Sequence, residues 1–369
     1  MEIGSIYEMN PAFTGKEDTQ DRKRFSLLEV QKYKKRYEAY TASGRDAIAL
    51  ALKSLETDRP ELSRTCLLPD YMCDTIFFPF ERAGWKIGFY HIGKNLEANA
   101  EMLGTQIETF RPGLLFIHAY YGLDTWKQMR FLLEKWRKQG VCLMEDVTQS
   151  YYLEEAGREA DYVVGSLRKW YPVPDGGFVL SDRPLTTEKL SSGEEAAAKR
   201  WEVLTGKWNY LHGKKEYSQK EEFLKRNREL ETELDERTAL FHMSRLSKNL
   251  LKKTDEAQCR EQRRRNCLLL TERLSGKEQF CPVLSYADYK AAPLYYPIYA
   301  KDRDRLQEYL RLHDIYAPVL WPVGAANADF LSSDSRYIFA HLLALPMDQR
   351  YGEEEMHRMA NVLDGYEKL

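Results

Sequence analysis

The sequence predicts an α/β protein: a three-layer αβα large domain with a mostly parallel sheet over residues 1–240, then a smaller α+β C-terminal domain over 241–369. Three observations carry this. From Ser43 to Arg168 short apolar runs alternate with longer amphipathic stretches, the signature of successive β-α units. At 369 residues the chain exceeds what one ordinary core organises, so two domains are expected. From about 194 to 236 the composition shifts to dense Lys, Glu and Arg around Trp201, Trp208 and Tyr210, a charged helical segment with a turn expected near Gly213.

Taken in order, the strands are expected at Thr65 to Leu68, Lys86 to Tyr90, Gly113 to His118, Val141 to Glu145, Tyr162 to Gly165 and Gly177 to Leu180. Helices are expected between them at Asp46 to Leu55, Thr75 to Ala83 and Trp126 to Lys138, the last stopped by Gly140. One long helix from about Ser244 to Leu274, with Leu246, Leu250 and Leu251 on its apolar face, leads into the smaller domain. There, strands are expected near Ala292 to Tyr299 and Ile315 to Leu320, and the chain closes on Leu342 to Pro346 and a helix from about Glu353.

Hydrophobic residues make up 43% and charged residues 30%, ordinary for a globular chain. A net charge of -2 gives no electrostatic reason to expect nucleic acid or an anionic membrane as a partner. Six cysteines lack any C-x-x-C or metal-like spacing and read as reduced thiols, with Cys66 and Cys142 in the core. No metal site is expected. Without a basic-then-apolar leader or a run of 18 apolar residues, the expectation is a soluble cytoplasmic protein.

The chemistry concentrates around Lys169. This lysine is followed by a proline-stiffened loop and the pair Gly176-Gly177, and Asp146 lies 23 positions upstream, just past a strand end. Ligands of such sheets bind at the carboxyl ends of strands. Lysine and carboxylate together suit pyridoxal phosphate (PLP), which is carried as a Schiff base on a lysine amine and needs its pyridine nitrogen protonated to accept electrons. A carboxylate at Asp146 favours that pyridinium. The lysine must be neutral for part of the cycle, so burial or a neighbouring cation must lower its pKa from roughly 10.4; Arg168, Trp170 and Tyr171 are the candidates. Without this context, a lysine beside aromatics reads as a surface residue lying over apolar area.

Other residues fall into place around this pair. Ser43-Gly44-Arg45-Asp46 opens a helix and reads either as an ordinary serine cap or as an anion site at the helix amino end. His118 follows a strand and faces either the strand-end crevice or a backbone partner. Gln149 is placed to meet the ring oxygen of a cofactor, and Tyr71 either stacks on its ring or packs into the core.

The order of these segments resembles the DegT-like family of fold-type I PLP enzymes, best known as nucleotide-sugar aminotransferases. The resemblance runs through Ser43 to Ala47, Leu67-Leu68-Pro69 to Pro79 through Gly84, His118 to Gly122, Glu145 to Gln149, Lys169, Gly176-Gly177, Met243-Ser244 and Leu342 to Met347, collinearly over most of the chain. It implies that Lys169 is the Schiff-base lysine and proton shuttle, that Asp146 pairs with the pyridine nitrogen, that Gln149 contacts the ring oxygen, and that Gly44 and Arg45 sit at the phosphate. Ser166 is the candidate phosphate serine, three residues before the lysine where the family usually has it five before. Further departures are Arg45 for the usual threonine, Leu240 near the usual asparagine, His242 for the usual arginine, and Cys73 near the usual ring-stacking aromatic, with Tyr71 as its substitute.

The resemblance thus implies a homodimeric PLP-dependent aminotransferase that moves an amino group from an amino acid such as glutamate to a keto sugar or related small carbonyl. Dehydration or decarboxylation on the same scaffold, and a non-catalytic protein that kept the fold, are the rival expectations. Candidate substrate contacts near Trp321-Pro322, Arg168 and the 194–236 segment name no substrate.

Overall fold

Short apolar runs make most of the strands, and longer stretches of mixed polarity the helices, of a computed structural model that describes residues 2–13, 25–28, 33–187, 190–283, 292–324 and 327–367. Among the described residues the strands are β1 (Ile3–Gly4), β2 (Tyr37–Thr41), β3 (Thr65–Pro69), β4 (Lys86–Tyr90), β5 (Leu114–His118), β6 (Cys142–Asp146), β7 (Tyr162–Ser166), β8 (Gly177–Ser181), β9 (Phe280–Pro282), β10 (Tyr296–Ala300), β11 (Ile315–Tyr316) and β12 (Leu342–Leu345). The α-helices among them are α1 (Gly44–Asp58), α2 (Phe77–Arg82), α3 (Ala100–Phe110), α4 (Arg130–Lys138), α5 (Glu194–His212), α6 (Tyr217–Glu236), α7 (Arg245–Lys252), α8 (Glu256–Leu274), α9 (Arg303–Leu312), α10 (Ser333–His341) and α11 (Glu353–Tyr366). β6, β5, β3 and β4 are sheet neighbours in that order, and so are β2, β8 and β7. The four-strand run is parallel throughout, the α/β arrangement that the alternating pattern predicts.

The chain divides into two compact units, one of residues 1–5, 62–160 and 255–369 and the other of 6–61 and 161–254. In the first, β4, β3, β5 and β6 pair in parallel, with His118 level with Asp146 at the carboxyl ends of β5 and β6. A second core in this unit gathers Leu270, Leu274, Tyr296, Ile298, Leu306, Leu343 and Met356 around the antiparallel sheet β12-β10-β9, the smaller α+β part of the fold. Cys66 and Cys142 are buried, as expected.

In the other unit β8 pairs antiparallel with both β2 and β7, and α1 packs on β7 and β8. Ser43 caps α1 by accepting from the Asp46 amide at 3.1 Å. The charged segment folds as α5 and α6 packed on each other, broken at Gly213 as expected.

Several expectations are corrected: the strand expected near Ala292 to Tyr299 starts only at Tyr296, and the one expected near Ile315 to Leu320 is the two residues Ile315–Tyr316. The single helix expected over 244–274 is two, α7 and α8, because Asp255 caps the second by accepting from Gln258 N at 2.9 Å. The helix expected from Trp126 starts at Arg130: the Trp126 indole N–H donates to the His118 carbonyl at 3.1 Å, and this holds residues 125–129 in turns.

Candidate active site

The loop carrying Lys169 is shaped by its glycines. Gly176 has φ +151°, a backbone conformation L side chains rarely adopt, and a Cβ on Gly177 would lie 2.1 Å from the Ser43 carbonyl oxygen. Only glycine lets β8 lie against the chain entering α1, and Gly176 N donates to Ala42 O at 2.9 Å there. In turn Gly176 O accepts from Leu167 N at 2.9 Å, which pins the short 3₁₀ turn Leu167–Lys169. Trp170 and Tyr171, directly after it, are buried, so the turn is anchored while Lys169 itself is exposed.

The amino end of α1 lies beside this turn. A Cβ on Gly44 would sit 3.4 Å from the Ser166 Cβ, an ordinary contact, so the first turn of α1 lies against Ser166 and the two form one small cradle; the Ser166 hydroxyl donates to the Gly176 carbonyl at 3.4 Å. Ser43 uses its side chain on Asp46 N, which is the serine-cap reading, beside the cradle. Arg45 turns away from it. Its guanidinium pairs with Asp235 and lies 4.0 Å from Glu231, both on α6. Burial raises the Asp46 carboxyl despite the opposing Arg237, which hydrogen-bonds it.

Sequence reading missed the residues that hold this region. Buried Asp175 accepts from Ser244 N at 2.8 Å, Ser244 Oγ at 2.7 Å and the Ser247 hydroxyl, tying the loop after Lys169 to the start of α7. Arg168 and Arg200 both reach Glu231. A cavity of about 280 Å³ is lined by Arg168, Arg200, Arg237, Asp175 and Phe241, among others. The signal was faint: Glu231 and Asp235 are four apart on a helix and so share a face.

The remaining candidates belong to the other unit, and their geometry is internal to it. Asp146 ends β6 with 4% exposure, and its Oδ2 lies 3.5 Å from Nδ1 of the buried His118. Burial alone would raise this carboxyl, but His118 and Thr148 outweigh it and hold the carboxyl below the usual value, so Asp146 stays ionised. Asp146 Oδ1 also accepts from Thr148 N at 2.9 Å. Gln149, 1% exposed, accepts the Tyr121 amide proton on Oε1 at 3.0 Å, which orients its side-chain NH₂ as the donor end. Tyr71 packs against Trp321 and Phe339, with ring centroids 4.9 Å away in both cases, and its hydroxyl lies 3.4 Å from that of Tyr121. His118 meets Tyr120 and Trp321 edge-on.

No family model matches the chain, and no curated protein matches it by sequence. Solved structures do match along its whole length. PseC of Helicobacter pylori, an aminotransferase involved in the biosynthesis of pseudoaminic acid, superposes with a TM-score of 0.70 at 14% identity, covering 100% of both chains. Spr1654 of Streptococcus pneumoniae in its PLP-form gives 0.69 at 15% identity, over 100% of this chain and 99% of that one. A DegT DnrJ EryC1 StrS aminotransferase from Brucella abortus gives 0.64 at 17% identity, over 97% and 95%. At these identities the likeness establishes the fold, which is that of fold-type I aminotransferases.

Proposed function

We propose that this chain is a PLP-dependent aminotransferase that moves an amino group from an amino acid, glutamate being the expected donor, to a keto sugar or related small carbonyl compound. The observation that carries the reading is the cradle of Gly44 and Ser166 at the amino end of α1, beside the anchored turn that presents Lys169. It accords with a whole-length likeness to PseC, an aminotransferase, and to Spr1654, which is known in its PLP-form and PMP-form.

The residues fit the cofactor. Helix-end amides and a serine hydroxyl meet there, the kind of donor set a phosphate requires. Arg45 keeps its side chain on α6, so its contribution to phosphate binding is its backbone amide, and its bulk does not fill the cradle. Asp146, held ionised by His118 and Thr148, would keep a pyridine nitrogen protonated. Gln149 offers its amide N–H to a ring oxygen, with its orientation set by Tyr121 N. Tyr71, held by Trp321 and Phe339, is the aromatic candidate for contact with the cofactor ring. When bound, PLP supplies the electron sink that stabilises negative charge at the substrate carbon. Lys169 would be the amine that holds the cofactor and would carry the proton at the substrate carbon.

We further place the chain in a homodimer in the cytoplasm, with small-molecule substrates and no nucleic-acid partner; among the described residues no helix is long and apolar enough to cross a membrane. Purified protein mixed with PLP should develop a near-visible absorbance band that Lys169→Ala lacks. Absence of a lysine-dependent band would remove this reading.

A further inference from the structure

Three arginines from three elements converge on one carboxylate of α6. Arg45 follows Gly44 in α1, Arg168 precedes Lys169 in its turn, and Arg200 lies on α5. Arg168 reaches Glu231 with two nitrogens on two oxygens, Nη1 to Oε1 at 3.0 Å and Nη2 to Oε2 at 3.4 Å. Arg200 Nη2 lies 2.9 Å from Oε1, and Arg45 Nη2 lies 4.0 Å from Oε2. One turn to either side on α6, Asn227 accepts from Arg200 and Asp235 pairs with Arg45.

We infer that Glu231 is a positioning residue for the cofactor site. It fixes the phosphate-holding end of α1 and the turn of Lys169 against the same carboxylate. This rests on the PLP reading. A fork of two hydrogen bonds sets the orientation of a guanidinium as well as its distance, so Arg168 is held in a defined direction. Arg168 sits in a three-residue turn, and any rotation of its backbone carries Lys169 with it. The charge balance makes the link strong: Arg200, 7% exposed, faces Arg168, and Glu231 is the counter-charge the two share. Burial and the neighbouring Arg168 push Arg200 down to about 10, whereas Arg168 and Arg200 pull Glu231 down to about 2 against its own burial. Without that carboxylate two guanidinium groups repel at short range, and the partly exposed one, Arg168, is the one free to swing out.

The test compares Glu231→Gln, Glu231→Asp, Arg45→Gln and Asn227→Ala with the wild type. PLP affinity is read by absorbance titration, and amide hydrogen exchange is read at 44–48 and 166–171 without cofactor. Glu231→Gln should weaken PLP binding about tenfold or more and speed exchange at both segments, with Glu231→Asp recovering most of the loss. Arg45→Gln, which cuts only the α1 arm, should speed exchange at 44–48 alone, so the arms can be separated even if Glu231→Gln fails to fold. Asn227→Ala, which loosens α6 from Arg200 without touching the other two arginines, should stay within about twofold of wild-type affinity.

Unchanged exchange at both segments in Glu231→Gln or at 44–48 in Arg45→Gln would overturn the inference. So would an Asn227→Ala loss equal to that of Glu231→Gln, since Glu231 would then only hold α6 onto α5. If the wild type binds no PLP, the functional reading fails, and exchange alone decides on the link: faster exchange supports it and unchanged exchange overturns it.

Discussion

Gly177 shows how one residue serves both fold and site. Its missing side chain lets β8 approach within 2.1 Å, Cβ to oxygen, of where the Ser43 carbonyl lies. Gly177→Ala should therefore cost about 2–3 kcal/mol in a denaturant melt, and an unchanged unfolding midpoint would contradict this. Buried Glu145 sits next to Asp146 and titrates differently: burial lifts its carboxyl to about 7, against the pull of Arg130 at 3.8 Å. The folded chain thus keeps a proton that the unfolded chain releases above the ordinary glutamate value of 4.5. This group's contribution is full below pH 4.5 and is lost as pH rises to about 7, on the order of 3 kcal/mol. Glu145→Gln removes the dependence, so the variant should gain stability relative to wild type at pH 8 compared with pH 4.5; an equal difference at both would count against the burial argument. Asp146→Asn should leave the fold intact and lower turnover about tenfold or more, because a neutral amide no longer favours a protonated ring nitrogen. Undiminished turnover would remove Asp146 from its assigned role. Lys169, Asp146 and Gln149 stand out in the sequence because each lies at or a few residues past a strand end, and the glycine pair because it opens the next strand. Glu231 does not, since its partners Arg45 and Arg168 are distant in sequence and only the packing of α6 brings them together.

At the scale of elements, buried strands read well because their apolar runs are bounded by turns. The structure places β3, β4, β5, β6, β7 and β8 within a residue of their expected ends. By contrast β2, Tyr-Glu-Ala-Tyr-Thr, escaped notice because its two leading residues are not buried and its apolar content is thin. The break between α7 and α8 was missed because apolar periodicity continues across it, and only the Asp255 cap marks the restart. Asp175 joins elements instead of forming one. Replacing it with alanine strips the Ser244 and Ser247 groups of a buried acceptor and should cost about 2–3 kcal/mol. Exchange should then quicken first at 242–250; protection there equal to wild type would mean the Asp175 bonds do not hold α7.

At the scale of the whole molecule, the fold is the part most firmly tied to known structures, matching along the full chain at 14–17% identity. Such identity leaves the arrangement of elements intact while side chains differ, and in this chain the amino end of α1 carries Arg45, whose charge is paired by α6. The order of segments along the chain carried the fold, and the side-chain pairing needed coordinates. The central claim is that Lys169 carries the cofactor, and chemical trapping tests it most directly. Purified protein incubated with PLP, reduced with borohydride and digested should yield a pyridoxyl-phosphate adduct on the peptide containing Lys169. No adduct at all, or one confined to other lysines, would contradict the account.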